Sequence, residues 1–442
     1  AAMNSAQVKV FNSAQIGAIE TTDIGALTTN SVRAIATDAL AGLTTDQVAA
    51  LTSAQIGALT SAQTAVLATA PSAAIETTDI SAMVTIAVRT LSTADIAALT
   101  TAQILAMSTA QVAALSSTQV QALTTDQVAA LESTDLAVMN SAQIAVLNTA
   151  QAAAIETTDI SALSTTNVRA IRTDALNALG TDQIAALTTA QTAALTTTQA
   201  QALNTAQVAA LESTDLAAMN SAQVKVFNSA QIGAIETGDI SALTTNSVRA
   251  ITTTAIAGLT TDQVAALTSA QINALTSAQS AVLNTAQAAA IETTDISAMV
   301  TTTVRALSTA AINALGTDQI LAMTTAQVAG LSSTQVQALT SAQVAALEST
   351  DLAVMNSAQI AQLNSSQAAA IETTDIGALS TANVRAFRTD AINALGTDQI
   401  AALTTAQTAA LTSTQTQALN TAQVAALEST DLAVLNSAQI KV

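Results

Sequence analysis

The sequence predicts an all-α solenoid: a superhelical array of eight-residue repeats, each forming one short capped helix. Three observations carry this. A large apolar residue recurs every eight positions from Met3 to Leu435, with no insertion or deletion, giving 55 octads of consensus L-T-T-A-Q-V-A-A. Charged residues sit in the octad where a helix dipole would place them. The abundant Ala, Gln and Leu favour helix.

Within the octad, the third position is always Ser or Thr, the sixth is usually Val, Ile or Leu, and the eighth is nearly always Ala. The third-position hydroxyl is the expected N-cap. The helix then runs over A-Q-V-A-A into the next Leu. A capping box between a position-two Thr and the position-five Gln is the variant arrangement. Position six and the next position one are three apart, so they share a face and form the core. Phe11, Phe227 and Phe387 take the Leu position and belong to that core.

The competing architecture is a β-solenoid, because Thr, Val and Ile favour strands. Charge placement decides against it. All 20 Asp lie at position four or five, as Asp46 and Asp23 do. Lys9, Lys225, Lys441 and Arg33, Arg89, Arg169, Arg249, Arg305 and Arg385 lie at position seven. An element with a negative start and a positive end has a dipole, and a strand has almost none. The lone Pro71 is at position five, inside a first turn where its missing N–H costs little. A β-solenoid would also use more turn glycine than the 12 present.

One octad cannot fold alone, because two buried aliphatic side chains do not offset the entropy of ordering eight residues. Stacking must supply the remainder, which makes the product quasi-one-dimensional. A second period lies over the first. Residues 1–21 recur at 217–237, a shift of 216 residues or 27 octads. The expected organisation is one continuous octad array over 1–442, with long copies at 3–218 and 219–434 and a third starting at 435. Neither end has a polar cap. The expectation is an excerpt of a longer array, or one unit of a chain-to-chain filament.

Composition excludes much chemistry. The chain lacks Cys and His, so disulfides and thiol or imidazole metal sites are out. The net charge of −19 comes with no basic cluster, which argues against nucleic acid. No apolar run reaches the length of a membrane span, and no signal peptide is visible. The best candidate for a site is a Glu/Asp pair three residues apart. It occurs in IETTDI at 19–24, 75–80, 155–160, 291–296 and 371–376, in IETGDI at 235–240, and in LESTDL at 131–136, 211–216, 347–352 and 427–432. Paired carboxylates suit a glycosidase, yet ten copies in one repeat frame, without aromatic platforms, argue against catalysis. Hard oxygen ligands suit structural calcium, but no calcium-loop pattern is present. A salt bridge to the arginine one octad on, as Glu20 and Asp23 to Arg33, is a third role. The expectation is that no catalytic, cofactor or metal residue exists. In IETTDI, a Thr caps, Asp is a helix-start charge, and Glu is a register mark recurring at 7, 10 and 10 octads.

The run AQVAALSSTQVQALTTDQVAALESTDL (110–136) resembles the Thr/Ala/Gln-rich repeat arrays of very large bacterial surface proteins described as adhesin-like. That resemblance implies an exported, extracellular protein of the bacterial cell surface. The expected function is structural: self-assembly into a filament, sheath or surface layer, without enzyme activity. The partner is the chain itself, with surface glycans or other surface proteins as further candidates. Alternatives are an adhesin's spacer stalk, or a calcium- or ice-binding solenoid.

Overall fold

The computed structural model describes residues 3–69 and 75–440. Pro71, Lys441 and the extreme ends lie outside the described residues. Among the described residues there are 53 α-helices and no strand, which sets the β-solenoid aside. The helices run four to six residues, apart from the nine of Ser61–Thr69.

The cap lies one position earlier than expected. Thr124, at position two, is extended, with φ −73° and ψ 164°. Its Oγ1 accepts from the Gln127 N–H at 3.2 Å, and Gln127 Oε1 accepts from the Thr124 N–H at 2.8 Å. This is the capping box, and the third-position Ser or Thr is the first helical residue instead of the cap. The reason is reach: a glutamine side chain can reciprocate only a cap three residues before it. Asn at position two caps in the same way, as Asn148 does with Gln151. Asp at position four or five still falls in the first turn, so the dipole argument holds.

Most helices close with the next position-one N–H donating to the position-six carbonyl, as Leu131 does to Val128 at 3.1 Å. Positions one and two then run extended and turn the corner: Leu123 has φ −59° and ψ 137°. No described residue has positive φ. Corners made this way need no left-handed glycine, which is why so little glycine suffices.

Helices pack on helices three octads further along the chain. Thr109–Ala114 meets Ser133–Val138, and Thr309–Ala314 meets Ser333–Ala338. A coil is therefore three octads, or 24 residues. Positions one and six fill its interior: Val112 is 0 % exposed and Leu115 4 %. Phe227 and Phe387 are buried there, and Phe11 is half-buried.

Position five is buried as well, and it joins the coils. Gln127 Nε2 donates to the carbonyls of Ile96 at 2.7 Å and Leu99 at 2.6 Å in the coil before. Gln151 does the same to Val120, Gln121 and Leu123 at 3.0, 3.2 and 2.7 Å. Backbone bonds outside the helices stay local, so the polar links between coils are made by side chains. By contacts the chain divides into two compact units, Ala1–Ala218 and Met219–Val442. The coil is built alike in both: Gln343 in the second unit reaches Ile312 and Leu315 at 2.8 and 2.7 Å.

Two predictions follow from this joint. Gln151→Leu keeps the volume apolar but removes the box and the amide donor to the Val120, Gln121 and Leu123 carbonyls, of which Val120's retains the Leu123 N–H. It should cost about 2–4 kcal/mol, read from the urea midpoint of the full chain. Gly258 stands where a Cβ would lie 2.1 Å from the Ser229 carbonyl of the neighbouring coil. Gly258→Ala should therefore destabilise by about 1–3 kcal/mol, although alanine is the consensus residue at that position; the thermal midpoint checks it.

Candidate functional site

The Glu/Asp pairs do not converge on a shared point. Glu takes position two, the cap position, and faces solvent, as Glu132, Glu156, Glu292, Glu348 and Glu372 do. Asp takes position five and turns inward: Asp79, Asp135, Asp295 and Asp351 are each 3 % exposed. In IETTDI the glutamate side chain makes no cap bond, and the first Thr is the first helical residue. The structure therefore corrects the role given to that threonine.

Asp at position five stands where Gln otherwise bridges the coils, and a carboxylate can only accept. In three IETTDI octads it finds a donor. Ser53 donates to Asp79 and Ser269 to Asp295, both at 2.5 Å, and Ser349 donates to Asp375. Each serine is in the coil before. Two of the LESTDL aspartates fare worse. Asp135 and Asp351 accept only long 3.4 Å bonds, from the N–H groups of Glu132 and Glu348. Burial pushes the carboxyls of Asp135, Asp215 and Asp351 up from the ordinary 3.8. At Asp215 a side-chain hydrogen bond from Thr192, and at all three a backbone bond, offset this in part, and the neighbouring Glu132, Glu212 and Glu348 charges add to the rise.

The arginines do not join these groups. The ion pairs among the described residues are Arg172–Asp174 at 3.1 Å and Arg388–Asp390 at 3.2 Å, both about half exposed and inside one octad. Arg33 is one octad beyond Glu20 and Asp23, which places it on the next side of the three-sided coil. Stacked neighbours are three octads apart, so the proposed salt bridge does not form.

Shallow grooves follow the motif. Glu132, Glu156 and Asp159 line one with Leu105, and Glu348, Glu372 and Asp375 line its counterpart with Leu321. Among the described residues no group of three or more acidic side chains is placed to hold a metal ion. No described helix is long and apolar enough to cross a membrane.

What sequence reading missed is the second job of position five. The signal was there. Where Gln is replaced, the substitute is often another hydrogen-bonding residue: Asn167 and Asn383 donate to the Met139 and Met355 carbonyls at 2.7 and 2.8 Å. Ser31 and Ser247 reach Met3 and Met219 at 2.9 and 3.3 Å.

Asparagine's reach gives a test of the buried charge. A carboxyl with a raised folded pKa contributes stability at acid pH that is lost as pH rises through that pKa. Wild type should weaken relative to Asp351→Asn as pH climbs above the ordinary 3.8. At neutral pH the variant should be the more stable by about 1 kcal/mol, and urea midpoints across the pH range check both.

The model of one family, described as the ALTTAQ repeat, matches at twelve stretches: 1–29, 16–53, 73–109, 105–131, 128–154, 152–189, 208–245, 232–269, 288–325, 320–349, 344–370 and 368–405. No curated protein matches the chain. The matched stretches cover most of the sequence, and their name matches the last position of one octad and the first five of the next: the chain belongs to the ALTTAQ repeat family.

Proposed function

We propose that the chain is a structural protein of the bacterial cell surface that self-assembles into an extracellular filament, sheath or surface layer and catalyses nothing. The supporting observation is the coil joint. Gln127 and Gln343 make the same pair of carbonyl bonds to the coil before, one in each unit. A stack with this joint has no built-in length, and near-identical 216-residue copies offer identical contacts to one another.

A spacer stalk for an adhesin is the second reading. It is favoured by the open, shallow form of the grooves that Glu132, Glu156 and Asp159, and Glu348, Glu372 and Asp375, line. The calcium and ice readings draw less support, since among the described residues no three acidic groups are placed to hold a metal ion and Thr pairs such as Thr124 and Thr125 sit at helix starts. Electron micrographs of the purified full chain separate the first two. Regular filaments or sheets are expected, and monodisperse single particles at all concentrations would overturn assembly in favour of the stalk.

A further inference from the structure

The IETTDI motif marks more than its own octad: each copy opens a full coil in which position five is never Gln. The series are Asp159, Asn167, Ala175, then Asp295, Thr303, Ala311, then Asp375, Asn383, Ala391. The same holds for Asp23, Ser31, Ala39, for Asp79, Ala87, Asp95 and for Asp239, Ser247, Ala255. Six motifs give six such coils.

The consequence is visible in the bonds that cross. Between the coils 299–322 and 323–346, Gln335 and Gln343 each donate to three carbonyls of the earlier coil. Gln327 adds Met299 at 2.6 Å and reaches Ile296 at 2.7 Å at the corner before. Between 267–290 and 291–314, the position-five residues contribute one crossing bond among the described residues, Ser269 to Asp295. Thr303 turns its hydroxyl back to the Val300 carbonyl of its own coil at 2.7 Å, and Ala311 has no polar side chain. Between 131–154 and 155–178, the position-five bonds are those of Asn167, to the Met139 carbonyl and from Ser141. Bridging resumes one coil later, where Gln183 donates to the Ile155 carbonyl at 2.6 Å and Gln319 to Ile291 at 2.5 Å. Each Gln-free coil is thus bound well to the coil after it and weakly to the coil before it. The apolar interior runs through unchanged: Ile155, Ile160, Ile291 and Ile296 are all buried. What thins at these places is the polar clamp.

We infer that the Gln-free coils are periodic yielding joints, at which the stack opens first under load or denaturant while the Gln-clamped runs between them hold. The motif thus confers extensibility at set intervals, and this follows from the coil joint whether the array is a filament or a stalk.

Hydrogen exchange on the full chain tests it in both directions. In wild type, the 291–314 coil should exchange faster than 323–346, by roughly fivefold for each missing bridge. Asp295→Gln/Thr303→Gln/Ala311→Gln restores the array's own consensus, so it should fold and bring 291–314 to the protection of 323–346. Gln327→Ala/Gln335→Ala/Gln343→Ala should create a new joint and lower protection over 323–346. Equal protection of the two coils in wild type, or no change in either triple variant, would overturn the inference.

Discussion

Everything in this fold depends on one primary amide used twice. The position-five glutamine turns its oxygen to its own octad, closing the box that starts a helix of five or six residues. It turns its nitrogen to the coil before, meeting a position-six carbonyl that also takes a backbone N–H and a position-one carbonyl at the corner, as at Ile96 and Leu99. Helices this short do not persist in water, and a carbonyl enclosed by packing is costly if unmet. Gln127 and its equivalents resolve both problems with a single group. Because both functions need the same side chain, helix formation and coil stacking are coupled, which is the cooperativity a one-dimensional array needs.

The fold was legible because octad spelling is a local matter. Position one and position six read as core, charge polarity read as helix, and Leu115, Val112 and Asp126 sit where those rules put them. The cap was misplaced by one residue because two hydroxyl positions are adjacent in LTTAQ, and either could cap. The glutamine settles which, through a bond that only one spacing allows. The number of octads in a coil is not written in any octad. It is set by the corner made of two extended residues, such as Leu123 and Thr124, and three such corners close the turn. The bridging role of Gln was hidden for the same reason: its partners lie 28 to 31 residues back, where only a closed coil brings them near.

The acidic motif was the hardest to judge from sequence, since Glu and Asp three apart resemble a site. The coil separates them, one to solvent and one to the interior. In the interior the aspartate is a poor substitute for an amide, lacking the proton that the carbonyls seek. Where a serine lies below, as Ser53 lies below Asp79, the charge is met by a hydroxyl. Where none does, as at Asp135, burial raises the carboxyl's pKa. The motif is thus a local departure from the joint, and its chemistry is that of a missing hydrogen.

Its spacing then gains a geometric meaning. Intervals of 7, 10 and 10 octads each exceed a whole number of three-octad coils by one octad. Within each unit, successive motifs therefore advance by one side of the coil. A row of ligand sites would be kept on one side, where a flat partner could meet all of them. A Gln-free coil is thinned on all three of its sides, so the rotation leaves the joints alike and changes only which side carries the exposed glutamate.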